Sequence, residues 1–372
     1  MFPNIKCKQA THSKGASEMR LYQTETEFNC GIDLHAKCMY ACVVDPKGEV
    51  LVHRNIKGND FEYFLKLVEP YRHDLTLCSE CTFNWYWLAD ACEDAGIEFV
   101  LAHALYLRAI HTTKKKNDKI DSEKIAQLLR TNMIPYAYVY PRAMRPLRTV
   151  VRTRMNYVWL RSEMLGKQTC RLMAEGKQLT KMPQLPRKRW EQAVTELHTD
   201  PHLRALVTSD CAIIHELDRQ IDHLERVIMA AAKKDHWRDL HVLLSVPGIG
   251  KVLAMTILFE IGEISRFPRH QDLASYARLV RGTVASAGKI EGMRGAKMGN
   301  GHLKWAFKEA VLVAKRAHPE IRAMAQRLEK KHDRATANAI LAHRLARAIY
   351  YMLKHGMTFS MELFSKKLRN AA

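Results

Sequence analysis

No stretch of the chain reaches the ~18 consecutive apolar residues that a membrane-spanning helix needs, so none is expected to cross a bilayer. The polar opening MFPNIKCKQATHSKGASEMR lacks the apolar core of a signal peptide. Cysteine is sparse: nine in 372 residues, an odd number without framework spacing. That excludes a disulfide-stapled scaffold and fits a reducing cytoplasm. Acidic charge is short too, with 39 Asp and Glu against 59 Lys and Arg, a formal +20. A protein this basic meets a polyanion, most commonly nucleic acid. An anionic membrane surface is the competing partner, but no apolar segment accompanies the charge.

The length allows two or three domains and a sizeable core. From Glu27 the pattern is extended: FNCGIDLHAK, CMYACVVD, a PKG turn and EVLVHRNIK predict a three-strand antiparallel meander. Asn59 is the expected cap of a helix over FEYFLKLVEPY, and DLTLCSE a short strand ending in Glu80. TFNWYWLADACEDAG then reads as a helix and IEFVLAH as a fifth strand. A meander followed by alternating helix and strand predicts an α/β layer with a mixed sheet.

The stretch KKKNDKIDSEKIAQLLR, residues 114–130, sets Asp118 and Asp121 three positions apart at the start of an apolar-periodic segment. On a helix, i and i+3 share a face, so both carboxylates can aim at one spot. Paired carboxylates repel unless a cation lies between them, and the usual cation is a hard divalent metal. The competing reading is that one of them caps the helix. Asp33 ends the first strand and Glu80 the fourth, where open α/β sheets gather ligands. Four carboxylates from two strands and a helix are what two Mg²⁺ ions need to clamp the oxygens of a phosphodiester. Lys114, Lys115 and Lys116 lie just ahead as phosphate contacts, or as a solvated charge run. His35 and Lys37 read as loop cations. Cys78 and Cys81 form a CxxC without a second pair, so zinc is set aside.

Beyond Pro146 the chain turns helical and basic. Two long segments are joined through Pro183 and Pro186, the second with Leu217, Ile221, Leu224 and Ile228 at near-heptad spacing. They predict an antiparallel hairpin or a dimerising coiled coil. In SVPGIGK, Gly248 and Gly250 between apolar helical segments resemble a helix–hairpin–helix, whose backbone N–H groups approach a DNA phosphate with Lys251 beside them. A tight turn between packed helices would use the same glycines. Ser286 sits in a Gly/Ser/Lys-rich loop with Lys289, Arg294 and Lys297 close by. It is either a turn residue or a nucleophile whose developing charge the cations stabilise.

NCGIDLHAK, CSECTFNWYWLAD, KKNDKIDSEKIAQLLR, SVPGIGKVLAMTILFEIG and LVRGTVASAGKIEGMRGAKMGNGHLKWAFKEA, in this order, resemble the DEDD transposases of the insertion-sequence one-ten family, with the Piv/MooV-type DNA invertases. The resemblance runs from about residue 28 to the C-terminus. With the polar opening read as a disordered lead-in (1–25), it implies a RuvC-like, ribonuclease-H-type catalytic domain (26–140), followed by the basic helical coiled-coil region (141–235) and a helical C-terminal domain (236–372). It further implies Mg²⁺, as two ions, on Asp33, Glu80, Asp118 and Asp121, and a covalent phosphoserine link to DNA at Ser286. The implied partners are double-stranded DNA at the element ends and target, a guide noncoding RNA, and further copies of the chain in a dimer or tetramer. The location expected is the cytoplasm, at the nucleoid. The loop reads SAGK where many relatives read SGG, and the first residues have no counterpart in the motif set. Two other functions compete: a RuvC-like nuclease or junction resolvase that uses water, and a DNA-binding protein without catalysis.

Overall fold

The computed structural model describes residues 21–23, 26–110, 117–177, 187–280, 282–286, 289–294 and 298–366, with side chains for all of these but 108–110, 187–188, 282–286, 289–294 and 366. The chain divides into two compact units, Met1–Arg142 and Ala143–Ala372.

The first unit is built on a mixed six-stranded sheet. β1 (Phe28–Leu34), β2 (Cys38–Val44) and β3 (Val50–Lys57) form the expected antiparallel meander. After α1 (Phe61–Val68), β4 (Leu75–Glu80) runs parallel to β1; after α2 (Trp85–Asp94), β5 (Glu98–Ala102) runs parallel to β4. Beyond α3 (Ala104–Ile110) and α4 (Asp118–Arg130), the two-residue β6 (Tyr136–Ala137) closes the order β3-β2-β1-β4-β5-β6. Strands bury alternate residues on opposite faces. Cys30, Ile32 and Leu77 pack with Phe64, Val68, Leu88 and Cys92 of α1 and α2. Cys78 and Val100 face the other way, against Ile125, Leu128 and Leu129 of α4. Truncating a fully buried leucine such as Leu129 to Ala costs about 2–5 kcal/mol. β6 and α3 were not expected, because two residues are too few to show a strand period.

Asn59 does not cap α1. Asp60 does, its side chain accepting from the Tyr63 amide, while the Asn59 amide donates to the carbonyls of His35 and Ala36. Of the lead-in, residues 1–20, 24 and 25 lie outside the described residues. Leu21 forms a bridge with Pro135, and the Tyr22 amide donates to the Ile134 carbonyl at 2.8 Å.

The second unit is almost all helix. α5 (Arg145–Ala174) and α7 (Pro201–Asp235) are two long helices lying side by side, with α6 (Arg187–Leu197) placing Trp190 and Val194 against Leu172, Val207 and Cys211. The buried stripe of α7 repeats every seven residues at Val207, Ile214, Ile221 and Ile228, so Leu217 and Leu224, expected on the seam, are only half-buried. Ion pairs follow the same step: Arg154 meets Glu225, and seven residues on Arg161 meets Asp218, seven residues back along α7. A step up one helix matched by a step down the other makes the pair antiparallel.

α8 (Trp237–Leu244) leads through the PGIG turn to α9 (Lys251–Ile261), buried at every position from Leu253 to Ile261, as a helix apolar on all sides must be. α10 (His270–Tyr276), α11 (Gly301–Ala317), α12 (Pro319–Glu329), α13 (Arg334–His355) and α14 (Met361–Lys366) complete the unit. The glycine-rich segment expected as a loop is instead a hairpin of β7 (Gly282–Ser286) and β8 (Lys289–Arg294). Its glycines mask an alternation in which Thr283, Val284 and Ile290 favour strand. Among the described residues no helix is long and apolar enough to cross a membrane.

Candidate functional site

The approach of α4 to the sheet is set by Gly31. A Cβ there would lie 2.2 Å from the Ser122 carbonyl oxygen and 2.4 Å from the Ala126 amide nitrogen, so only glycine lets helix and strand backbones meet this closely. Polar contacts fix the helix at both ends. Asn117 is the N-cap, accepting from the Lys119 amide, and His53 Nε2 lies 2.8 Å from the Lys119 carbonyl oxygen. At the far end Gln127 donates to the Gly48 carbonyl and Arg130 to that of Pro46. Because Asn117 caps α4, Asp118 and Asp121 occupy its first turn without serving as the cap, and the capping alternative falls away for both.

Asp33 lies two residues after Gly31 on the α4 side of the sheet, and Asp118 enters from the helix. His35 joins them, its Nε2 3.2 Å from Asp33 Oδ2 and 3.4 Å from Asp118 Oδ2. One donor atom from each of Asp33, His35 and Asp118 lies within 4.8 Å of the others. Burial pushes the Asp33 carboxyl above its ordinary range; His35 pulls it back, and the charges of Asp118 and Asp121 push it up again. Asp121 is held by Lys124 at 3.1 Å. The parallel register with β4 pairs Gly31 with Cys78 and ends at Ile32 opposite Ser79; Glu80, the last residue of β4, is not among the three residues whose donor atoms converge. Two aspartates and an imidazole are a donor set that could hold a divalent cation. His35 was read only as a loop cation. Its i+2 spacing from Asp33, which puts both on one face of an extended chain, was the signal that marked it.

Cys78, the first cysteine of the CxxC, packs in the core beneath α4, whereas Cys81 is exposed beyond the strand end. Lys114, Lys115, Lys116 and Lys297 lie outside the described residues. Lys289 and Arg294 sit on β8 and Ser286 ends β7, paired with Lys289 across the hairpin; their side chains are outside the description.

The foot of that hairpin is clasped. The Asn300 amide donates to the Tyr276 carbonyl at 2.5 Å, and Arg278 Nε to the Gly299 carbonyl at 2.8 Å. Asn300 also caps α11, and its Nδ2 donates at 2.7 Å to Glu260, which is fully buried. Arg152 grips the two oxygens of Glu260 at 2.6 and 2.9 Å, and Arg148 approaches at 3.1 Å. Burial alone would raise the Glu260 pKa, but Arg152, Arg148 and Asn300 outweigh it and hold the carboxyl below its ordinary range. Nothing in the sequence reading singled out this cluster. The signal was a lone acid in the apolar run of α9, since a buried charge requires partners.

The two glycines of the PGIG turn differ. Gly248 has φ +84°, and a Cβ there would lie 2.3 Å from the Ala310 carbonyl oxygen and 2.6 Å from the Ala314 amide, so it serves close packing on α11. Gly250, the N-cap of α9, is exposed with open space around its Cβ position, and Lys251 beside it is exposed.

Comparison with known proteins agrees with these motifs. A family model of DEDD transposases of the IS110 type matches residues 30–178. A second, described as the transposase IS116/IS110/IS902 family, matches residues 240–326. The insertion element IS110 uncharacterized 43.6 kDa protein of Streptomyces coelicolor is 31% identical over 126 residues, which span 33% of this chain and 30% of that relative.

Proposed function

Because the chain belongs to the IS110 family of DEDD transposases, we propose that it cuts and rejoins double-stranded DNA at element ends and target through a phosphoserine link at Ser286. The observation that carries this reading is the convergence of Asp33 and Asp118 on one point, from a strand and a helix that Gly31 holds together. Asp33 and Asp118 would hold Mg²⁺, with Glu80 and Asp121 completing the set for two ions. Bound there, Mg²⁺ supplies charge that polarises the scissile phosphodiester. The Ser286 hydroxyl oxygen forms a bond to phosphorus and the bond to the 3′ oxygen breaks; serine loses its proton and the departing oxygen takes one up. A later 3′-hydroxyl reverses the step on a new partner strand.

The strand order, with its antiparallel meander beside two parallel pairings, supports a RuvC-like reading of the sheet. Exposed Gly250 and Lys251 support a helix–hairpin–helix contact to phosphate, and the seven-residue repeat of α7 supports a coiled-coil arm. A guide RNA, a dimeric or tetrameric assembly and a cytoplasmic, nucleoid location belong to the same proposal; the +20 charge suits its polyanionic partners.

The test is adduct trapping: purified protein, element-end DNA with its flanking transcript, and Mg²⁺, on a denaturing gel beside Ser286→Ala and Asp118→Ala. A covalent species that needs both residues is expected. Cleavage without an adduct, unchanged in Ser286→Ala, leaves a nuclease that uses water.

A further inference from the structure

α5 carries an aromatic group that its packing leaves uncovered. One face of the helix meets α7 through Arg154, Arg161 and Gln168. A second face, following the 3.6-residue period, carries Arg148, Arg152 and Trp159. Arg148 and Arg152 turn inward to Glu260, yet the Arg152 side chain keeps 38% of its surface exposed. Trp159, seven residues further on, is 53% exposed. One side of its ring lies parallel to the ring of His302, with centroids 6.0 Å apart and planes 12° from parallel. His302 follows Asn300 by two residues, so the stack stands beside the foot of the Ser286 hairpin.

The charge that acts on the His302 side of the stack is mostly positive. Arg148, Arg152 and Arg278 all act on the His302 ring, and the one acid that does so, Glu260, is fully buried and already held by two arginines. Burial holds the His302 pKa below its ordinary range, which keeps the ring uncharged and suited to stacking. An exposed indole backed by a neutral ring, with guanidinium groups along the same helix face, combines the two features of single-strand recognition: an aromatic surface for a base and cations for its phosphate. A base in a duplex has both faces covered by its neighbours and cannot stack on Trp159. An acidic peptide would be drawn by the cations but would gain little from a flat aromatic surface.

We propose that Trp159, backed by His302, is a stacking platform for an unpaired nucleobase, whose flanking phosphate is held by Arg278. The site rests on the reading of the chain as a nucleic-acid enzyme, but not on the chemistry of Ser286 or of the carboxylates. It takes a single-stranded segment, DNA or RNA, next to the hairpin that carries the serine.

The test is equilibrium binding of the full chain to a fluorescently labelled oligothymidylate, to an oligouridylate, and to a duplex of the same length. Wild type is compared with Trp159→Ala, Trp159→Phe and Arg278→Ala. Trp159→Ala should weaken single-strand binding by about ten-fold, the usual worth of one base stacked on an aromatic ring, and leave duplex binding unchanged. Trp159→Phe should restore most of the loss, and Arg278→Ala should weaken single-strand binding and flatten its salt dependence. A 2-aminopurine in the strand should be quenched by wild type and Trp159→Phe, and not by Trp159→Ala. A stronger loss with one of the two oligomers tells which nucleic acid is the source. Equal loss for duplex and single strand, or none for either, overturns the platform. So does a shift of Trp159→Ala to a smaller assembly with single-strand binding intact, since the indole would then be covered by a second copy. Wild type that binds duplex but no single strand sinks the platform alone; wild type that binds neither sinks the nucleic-acid reading with it.

Discussion

Two carboxylates leave water in this protein with opposite results. Glu260 is fully buried, and four donor atoms from Arg148, Arg152 and Asn300 meet its two oxygens, so its pKa lies below the ordinary range. Asp33 loses part of its hydration to burial, and one imidazole partners it while Asp118 and Asp121 add like charge, so its pKa lies above. The difference is in who supplies the compensating charge. Around Glu260 the chain supplies it, and the group is part of the framework. Around Asp33 the chain supplies too little, and the deficit is what a divalent cation would fill.

The contrast is broken most severely at Glu260. Replacement by Ala strands two guanidinium groups in a low-dielectric interior, and breaking a buried ion pair in this way costs about 3–5 kcal/mol. Thermal or urea denaturation should show a loss of that order, with Glu260→Gln losing less because it keeps a hydrogen-bonding side chain. The pH dependence has a fixed sign. A folded pKa below the unfolded one gives stability that is complete above the unfolded value, about 4.3, and is lost as pH falls through the folded value. The acid limb of the wild-type stability curve should therefore flatten in Glu260→Gln.

Asp118→Ala should do the reverse: little change in stability, because the side chain is 46% exposed and removing it relieves repulsion on Asp33, but a large change in chemistry. Loss of a group that stabilises transition-state charge costs about 10²–10³ in rate. Strand cleavage on element-end DNA measures it. A variant that unfolds, or that cleaves at the wild-type rate, would place Asp118 with Glu260 in the framework.

A divalent cation gives the next step down. Mg²⁺ or Mn²⁺ at a hundred times its dissociation constant should stabilise the protein by about 2.7 kcal/mol, seen as a rise in Tm that chelation reverses. Asp33→Asn should lose most of that shift while being no less stable than wild type without metal. A rise of equal size in Asp33→Asn would put the ion elsewhere.

How much of this the sequence showed depends on whether a signal was local. The meander, β4 and β5 were legible from their two-residue period, and Asp118 and Asp121 from helical spacing. His35 was hidden by being read as a loop cation when its i+2 relation to Asp33 put it on the side of that carboxylate. The Glu260 cluster was harder, because Arg148 and Arg152 stand 112 and 108 residues from Glu260 in sequence and Asn300 stands 40. No window of sequence shows such a pairing; only the packing of α5 and α11 on α9 creates it. The hairpin carrying Ser286 was obscured by glycines, which read as loop wherever strand propensity is judged residue by residue.

The same division between framework and open site recurs in the PGIG turn, where it can be tested within three residues. Gly248 holds φ +84° with its missing Cβ pressed against the α11 backbone, whereas Gly250 caps α9 facing open space. Gly248→Ala must push the turn off α11, and overpacking of this kind costs about 1–3 kcal/mol. Gly250→Ala should change stability by less than about 1 kcal/mol, because glycine is only a modest N-cap and nothing crowds the new methyl. If backbone amides at this turn receive a DNA phosphate, the order inverts for binding. Gly250→Ala and Lys251→Ala should then weaken duplex affinity in an electrophoretic shift, and Lys251→Ala should lower the salt slope by about one ion. Should Gly250→Ala bind duplex as wild type does, the turn joins Glu260 as framework, and duplex contact must be sought on the basic helices instead.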